Sequence, residues 1–549
     1  MPTGRPLTTL SAARLAPEPT SSSTTLARSA ASAGLATLTS RILGVVREQV
    51  VAAFFGAGAA MDAYNVAFRI PNLLRDLFAE GAMSAAFVPT FTKTLATSGK
   101  ESAWRLGNHV LNALIVVTGV LVALGIVLAE PLVLTFAAER YTSDPRQLAL
   151  TVQMARIMLP ALTLIALAAA FMGMLNSLHH YFIPALSPAS FNVLTILCAF
   201  VLVPFMPAFG LEPIVAIAIG TLLGGVAQLA MQLPTLHSEG FRYRVEIDWQ
   251  DPGLRRMLTL MGPGTVGLAA TQVNVFVNTL LATGTETGAV SWLQYAFRLM
   301  YLPIGLFGVS VATAVLHVVS RQTAERNDSA IRDTVAGGVS LMLMLNVPAS
   351  VGLIVLAHPI VRVLLERGRF TAADTAATAA ALQFYALGLL AYSLVRIVSP
   401  VFYALGRSRT PVTVSVMTVL VNAGLNVMLV RMLGFRGLAL GTSIAALFNA
   451  AMLLILLRRE LQGIHEGRII SAFMRIAAAA GAMGVVAALL NRMLETRWPS
   501  GILLMQVVRL SITIGLSLVV LGAASGLLRI REFTESLALV KRRLKRRSR

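Results

Sequence analysis

The chain has 549 residues, of which 56% are apolar and 13% charged, and its mean hydropathy is +0.75. The charged share is about half that of a soluble domain, which excludes a soluble globular protein and predicts an all-α polytopic membrane protein. A single cysteine, Cys198, excludes an internal disulfide and any cysteine-based metal site. The net charge of +20 would suggest nucleic acid in a soluble protein, but here the charges follow a topological pattern that explains them better.

Residues 1–28 are rich in Ser, Thr, Pro and Ala, lack an apolar run, and read as a disordered extension rather than a signal peptide. Fourteen apolar-dominated spans follow, each long enough to cross about 30 Å of hydrocarbon. The first twelve fall into two sets of six, over 29–240 and 250–462, two extra helices occupy 468–530, and a basic tail fills 531–549. The second span (63–95) and the eighth (288–320) are over-long for a straight crossing. Pro71 and Pro89 in the one, and Pro303 in the other, predict kinked or partly unwound helices. His179 and His180 fall in a polar connection and read as a headgroup boundary, since adjacent side chains diverge on a helix.

With the amino terminus on the cytoplasmic side, inside segments hold 28 Lys and Arg and outside loops hold nine, so both termini are expected in the cytoplasm. The cluster Lys541-Arg542-Arg543-Leu544-Lys545-Arg546-Arg547 is suited to anionic headgroups, and no nucleic-acid partner is expected. Of the 45 basic residues, eight remain at membrane depth: Arg41, Arg47, Arg69, Arg75, Arg156, Arg298, Arg396 and Arg509. A guanidinium in hydrocarbon costs roughly 3 kcal/mol on insertion scales, so each must face water, an acid or an anionic ligand. Arginine grips phosphate bidentately, and a basic cavity at this depth points to a phosphorylated cargo. Glu48, Asp62, Asp76 and Glu80 lie at comparable depth, so a purely structural ion-pair network remains the alternative.

The chain also repeats itself. Ala67-Phe68-Arg69 matches Ala296-Phe297-Arg298 at a shift of 229 residues, with Leu77-Phe78 against Leu306-Phe307 and Ser84-Ala85 against Thr313-Ala314. The shift covers six helices, so the halves have the same orientation about an axis near the membrane normal. Arg41, Arg47 and Arg75 meet Ala270, Phe276 and Ile304, which places the positive charge mainly in the first half.

The run Asp62-Ala63-Tyr64-Asn65-Val66-Ala67-Phe68-Arg69-Ile70-Pro71-Asn72-Leu73-Leu74-Arg75-Asp76, continuing to Val88-Pro89, resembles the signature of the MurJ family of lipid II flippases. Ser40-Arg41-Ile42-Leu43-Gly44, Met261-Gly262-Pro263, Val290-Ser291-Trp292, Gly368-Arg369-Phe370-Thr371 and Thr410-Pro411-Val412 are similar to it as well, over about residues 28–530. The resemblance implies the multidrug/oligosaccharidyl-lipid/polysaccharide exporter fold, with two six-helix bundles in a V and two helices lining a lipid-accessible groove. It also implies transport of undecaprenyl-pyrophosphate-linked disaccharide-pentapeptide across the inner membrane. Carried over by position, cavity arginines fall on Arg41, Arg47, Arg75 and Arg298, with a basic residue usual at Arg69 and an essential acid at Asp62. Asp62, with Glu48 and Glu80, is expected to act as a gate or ion-pair partner; a helix cap is the alternative for Asp62. Relatives proposed to bind sodium use aspartates where this chain has Asn278 and Asn426. With Asn422 and Thr442 these make at most a weak cation site, and amides bonded between helices are the competing reading.

No G-x-x-x-x-G-K-[ST] sequence is present and carboxylates or histidines do not cluster, so neither ATP hydrolysis nor any enzymatic step is expected, and no cofactor. The membrane potential or an ion gradient is the expected driver. Cell-wall synthesis machinery and membrane lipids are expected partners. The alternative function is export of another polyprenyl-linked glycan or of small molecules in the same superfamily.

Overall fold

A computed structural model of the chain describes residues 21–76, 86–499 and 501–535, and every regular element among them is helical. The first half comprises α1 (Ser21–Phe55), α2 (Ala59–Arg75), α3 (Val88–Val127), α4 (Ala129–Phe136), α5 (Glu139–Thr142), α6 (Pro145–Met158), α7 (Ala161–Ser177), α8 (Phe182–Val201), α9 (Val215–Ala230) and α10 (Leu233–Ser238). The second comprises α11 (Pro252–Thr283), α12 (Ala289–Pro303), α13 (Val309–Ala324), α14 (Asp328–Val355), α15 (Ala357–Leu365), α16 (Ala372–Ala404), α17 (Arg409–Leu433) and α18 (Phe435–Glu460). α19 (Glu466–Arg497) and α20 (Leu503–Leu527) follow.

Among the described residues, ten helical segments are long and apolar enough to cross a bilayer. α2, α12 and α13, with 17, 15 and 16 residues, are shorter than those ten, and the sequence of α1 carries Arg41, Arg47 and Glu48 within its apolar run. Several starts carry the chemistry that satisfies free helix N–H groups: Asp144 accepts from Arg146 and Gln147, Asp251 from Leu254, and Thr371 forms a reciprocal capping box with Asp374. α17 and α20 leave apolar side chains such as Leu420 (69% exposed) and Val519 (68%) uncovered, as a lipid-facing surface requires.

Helices of residues 21–238 pack mainly on one another, as do those of 252–460, while α19 lies on α14 and α20 on α19. At the face carrying the 56–58, 284–288 and 366–371 turns, one apolar cluster runs through both halves, joining Met61, Val133 and Met154 to Ala289, Leu365 and Phe370. At the opposite face two distinct clusters form, one around Phe91, Leu106 and Met174 that also takes in Leu254 and Met257 at the start of α11, the other around Val319, Ile397 and Leu457. The halves therefore share one core at one end, while at the other their cores are distinct and the start of α11 packs on the first half.

Some expectations change. The first helix begins at Ser21, inside the extension expected to be disordered to residue 28; Ala and Leu here are good helix formers, and extending a nucleated helix is easy. The span at 147–177 is interrupted at Leu159–Pro160, where proline removes a helical donor. The segment around Arg362, read as loop, contains α15, whose apolar residues share one face. Unwinding near prolines is present as expected: a π-helical turn, Ile304–Gly308, follows Pro303, and Asp76 is π-helical at the equivalent point of the second span. Residues 1–20, Glu80 and the basic tail from 536 lie outside the described residues.

Candidate functional site

On α2, Asp62, Asn65, Arg69, Asn72 and Asp76 follow at intervals of three and four, which places them on one helix face. α12 presents Ser291, Gln294, Arg298 and Tyr301 at the same spacing, and the two polar faces meet. Asn65 Nδ2 donates to Ser291 Oγ at 3.0 Å, and Arg69 Nη2 to Gln294 Oε1 at 2.7 Å. Ser291 N donates to Asp62 Oδ1 across a separation of 229 residues, the shift of the internal repeat. Equivalent positions of two halves touch only where they lie beside the axis relating them, so α2 and α12 line that axis.

Asp62 is 2% exposed and accepts three bonds from the second half: Gly288 N at 2.6 Å, Ser291 N at 2.9 Å and Ser291 Oγ at 2.6 Å. It does not cap its own helix, whose N-cap is Gly58 with no side-chain bond. Instead it caps α12 from across the interface, where unpaired N–H groups and the helix dipole favour a carboxylate. Backbone approaches backbone here. Gly288 has φ 96°, and a Cβ on it would fall 2.4 Å from Ala57 O. Nearby, Arg369 N donates to Ala53 O at 2.9 Å, and a Cβ on Gly368 would fall 2.1 Å from that oxygen. Trp292 Nε1 to Asp374 Oδ1 at 2.9 Å ties α12 to α16 within the second half.

Further along the axis, Glu48 is held by Arg47 of its own helix at 2.6 Å and by Arg298 of the other half. Among the described residues, these two guanidiniums converge on one carboxylate, which leaves one positive charge in excess. Arg47 also stands over the Phe191 ring, 5.6 Å from its centroid. Arg75 pairs with Asp76 at 2.8 Å, and Asp76 also accepts from Gln272 of α11 at 3.2 Å. Arg41 reaches the π-turn, where a Cβ on Gly305 would fall 2.7 Å from its Nη1. The ion-pair network weighed from the sequence therefore exists around Glu48 and Asp76, but it does not absorb all of the arginine charge. Arg156 and Arg509 stand apart, donating to the Ile126 and Trp498 carbonyls at 3.3 and 2.9 Å.

Between the halves lies a cavity of about 490 Å³, lined by Arg69 and Asp76 from the first half and mostly by α11, α12 and α16 from the second. Asn278 and Thr442 reach it, but the suggested cation set is engaged in hydrogen bonds. Asn426 Nδ2 donates to Asn422 Oδ1 at 2.7 Å and to Asn278 Oδ1, and Thr442 Oγ1 donates to Leu438 O at 2.7 Å. Amide nitrogens cannot ligate a cation, and no three metal-ligating acids, histidines or cysteines cluster among the described residues. His180 contacts Glu239 at 2.8 Å, beside Lys100.

Sequence reasoning named Ser291 only within a family-like motif and missed Gln294, the residues that receive Asp62 and Arg69, and it gave no partner for Arg396, whose Nη2 donates to Tyr301 OH at 2.6 Å. The signal for the first two was present: a polar stripe of helical period on α12, the repeat counterpart of α2. Arg396 gave no sign of its partner, which lies 95 residues away.

Comparison with known proteins gives one consistent set of relatives. The family profile of lipid II flippase MurJ matches residues 51–509. A probable lipid II flippase MurJ of Vibrio cholerae is 35% identical over 436 residues, covering 78% of this chain and 82% of that protein. One of Rhizobium tropici is 34% identical over 472 residues, covering 85% and 87%. Among solved structures, lipid II flippase MurJ in an inward closed conformation has a TM-score of 0.73 at 28% identity, covering 90% of this chain and 98% of that one. An inward-facing multidrug resistance MATE family transporter of the MOP superfamily shares the fold at a TM-score of 0.64 and 15% identity, covering 80% of this chain and 95% of its own.

Proposed function

We propose that this chain, which belongs to the lipid II flippase MurJ family, carries lipid II from the inner to the outer leaflet of the bacterial cytoplasmic membrane by alternating access. It is a transporter and performs no catalytic step. The observation that carries the reading is the convergence of Arg47 and Arg298, one from each half, on the single carboxylate of Glu48. A pyrophosphate offers oxygens to both guanidinium forks at once and carries more negative charge than the carboxylate it would displace.

The head group needs a polar, positively charged path, because it cannot cross about 30 Å of hydrocarbon unaided, whereas the polyprenyl tail can stay in lipid. A core shared by both halves at one face, against distinct cores at the other, supports a conformation closed to the outside. In this reading the chain crosses the membrane fourteen times, as two six-helix bundles plus two helices, with both termini in the cytoplasm. Asp62 acts as the outer gate: its bonds to Gly288 and Ser291 hold only while the halves meet, so they bias the equilibrium toward closure. Glu48 holds Arg47 and Arg298 together until substrate replaces it. Arg41, Arg69 and Arg75 complete the basic lining. Transport is driven by the membrane potential, worth about 2.3 kcal/mol per charge per 100 mV, or by an ion gradient.

The test is complementation of cells depleted of their own lipid II flippase, scored by lipid II reaching the outer leaflet. The parent chain restores flipping, whereas Arg47→Lys and Arg298→Lys do not, although net charge is kept, because a point charge cannot reproduce the guanidinium fork. Full rescue by both lysine variants at normal protein levels would overturn bidentate recognition.

A further inference from the structure

The charge in the large cavity is confined to one side. Among the described residues its charged lining is Arg69 on α2 and Asp76 at the C-cap of that helix, and the remaining described wall is uncharged. That remainder is an aromatic platform. Phe297 packs against Tyr301, Tyr385 and Tyr392 with ring centroids 5.3, 5.4 and 6.2 Å away, and Tyr301 is 6.5 Å from Tyr392. Tyr301 OH is engaged by Arg396 at 2.6 Å, which fixes that ring. Tyr385 and Tyr392, which line the cavity, make no hydrogen bond through their hydroxyls among the described residues. Facing them, Asn274 and Asn278 lie one helical turn apart on α11 and line the same space. Asn274 Oδ1 is buried without a partner, a costly state for an amide that has no ligand to satisfy.

We propose that this wall, Tyr301, Tyr385 and Tyr392 opposite Asn274 and Asn278, is a carbohydrate subsite that takes the N-acetylated sugar rings of the head group. The inference rests on the flippase reading and assigns to the second half a ligand portion that the arginines cannot recognise. A pyranose has an apolar C–H face and an equatorial rim of hydroxyls. It suits a surface of rigid aromatic rings with hydroxyls at their edges and amides within reach. Asn274 donates and accepts, as an acetamido group requires. The volume also agrees: about 490 Å³ falls within the roughly 300–1,000 Å³ of pockets that enclose drug-sized ligands. The pyrophosphate then lies toward Arg69 and the Glu48 junction, so one head group spans both halves, its charged part between Arg47 and Arg298 and its uncharged part on the second half.

The test uses the full chain in detergent micelles and four defined lipids: undecaprenyl phosphate, undecaprenyl pyrophosphate, the same pyrophosphate bearing the disaccharide alone, and complete lipid II. Binding is followed for the parent, Tyr385→Leu/Tyr392→Leu, Tyr385→Phe/Tyr392→Phe and Asn274→Leu. The leucine pair should bind both sugar-bearing lipids about tenfold more weakly than the parent and undecaprenyl pyrophosphate equally well, with Asn274→Leu behaving alike and the phenylalanine pair intermediate. An equal loss on undecaprenyl pyrophosphate, or no loss on any lipid, overturns the subsite. A loss on lipid II with none on the disaccharide lipid assigns the wall to the stem peptide and overturns it also. Failure of the parent to prefer pyrophosphate over monophosphate strikes the arginine reading instead, while sugar-dependent binding that the leucine pair abolishes would still uphold the subsite.

Discussion

Gly368 is the position where a single added carbon should separate the two halves. Its backbone is left-handed at φ 58°, and an alanine Cβ there would fall 2.1 Å from Ala53 O, 3.0 Å from Ala53 C and 3.3 Å from Ala53 Cα. All three atoms belong to α1, in the other half, so the clash exists only while the outer face is closed. Relief requires the Gly368 loop and α1 to part by about 1 Å, which breaks the Arg369 N to Ala53 O bond of 2.9 Å. Overpacking costs about 1–3 kcal/mol and the lost bond about 1 kcal/mol, so closure is disfavoured by roughly 2–4 kcal/mol. At 1.4 kcal/mol per tenfold, this shifts the equilibrium toward the outward-open state by about 30- to 700-fold. The left-handed backbone adds about 1–2 kcal/mol to both states and cancels. Gly406 supplies the control, since its φ is 73° and nothing lies within 4 Å of its would-be Cβ. Ala57→Cys, at a site 1% exposed in the closed face, reports opening in a Cys198→Ala background. A membrane-impermeant maleimide added outside should label it fast with Gly368→Ala and slowly with Gly406→Ala. Equal labelling in the two backgrounds, with full complementation by Gly368→Ala, would refute the closed-face reasoning.

Asp62→Asn should also favour opening, because an amide offers one acceptor where Gly288 and Ser291 present three donors; the loss of charge-assisted bonds is worth about 1.5–3 kcal/mol, and normal flipping with unchanged Ala57→Cys labelling would contradict it. For topology, single cysteines at Ser408 and Ala373, both exposed, should differ in intact spheroplasts, the second labelling and the first not; the reverse result inverts the orientation. Glu239, bonded to Lys100 and then His180, has its carboxyl held below its ordinary value of 4.5. A depressed folded-state value means that its contribution is present above about pH 4.5 and lost as pH falls below it, so Glu239→Gln should melt slightly lower at pH 7 and equal to the parent in acid. A melting difference that persists below that range would show the carboxylate is not its source.

Composition, span lengths and the distribution of basic residues already specified a helical membrane protein, because hydrocarbon leaves backbone polar groups no partner but the helix itself. Arginines at membrane depth were equally legible, since no apolar environment tolerates them without a reason. The 229-residue shift was visible as well, and the contact of Asp62 with Ser291 at that separation gave it a geometric meaning. What the sequence did not reveal is which polar groups meet. Glu48 was one acid among several until packing set it between Arg47 and Arg298, and for Asp62, expected as a gate, a cap on its own helix stayed the alternative until the structure placed it on the start of α12. The tyrosine wall read as ordinary apolar helix, because an aromatic side chain has the same pattern whether it fills a core or lines a cavity. Pairings across the halves depend on how two bundles lean together, and a one-dimensional pattern records the face of a helix but not the partner it turns toward.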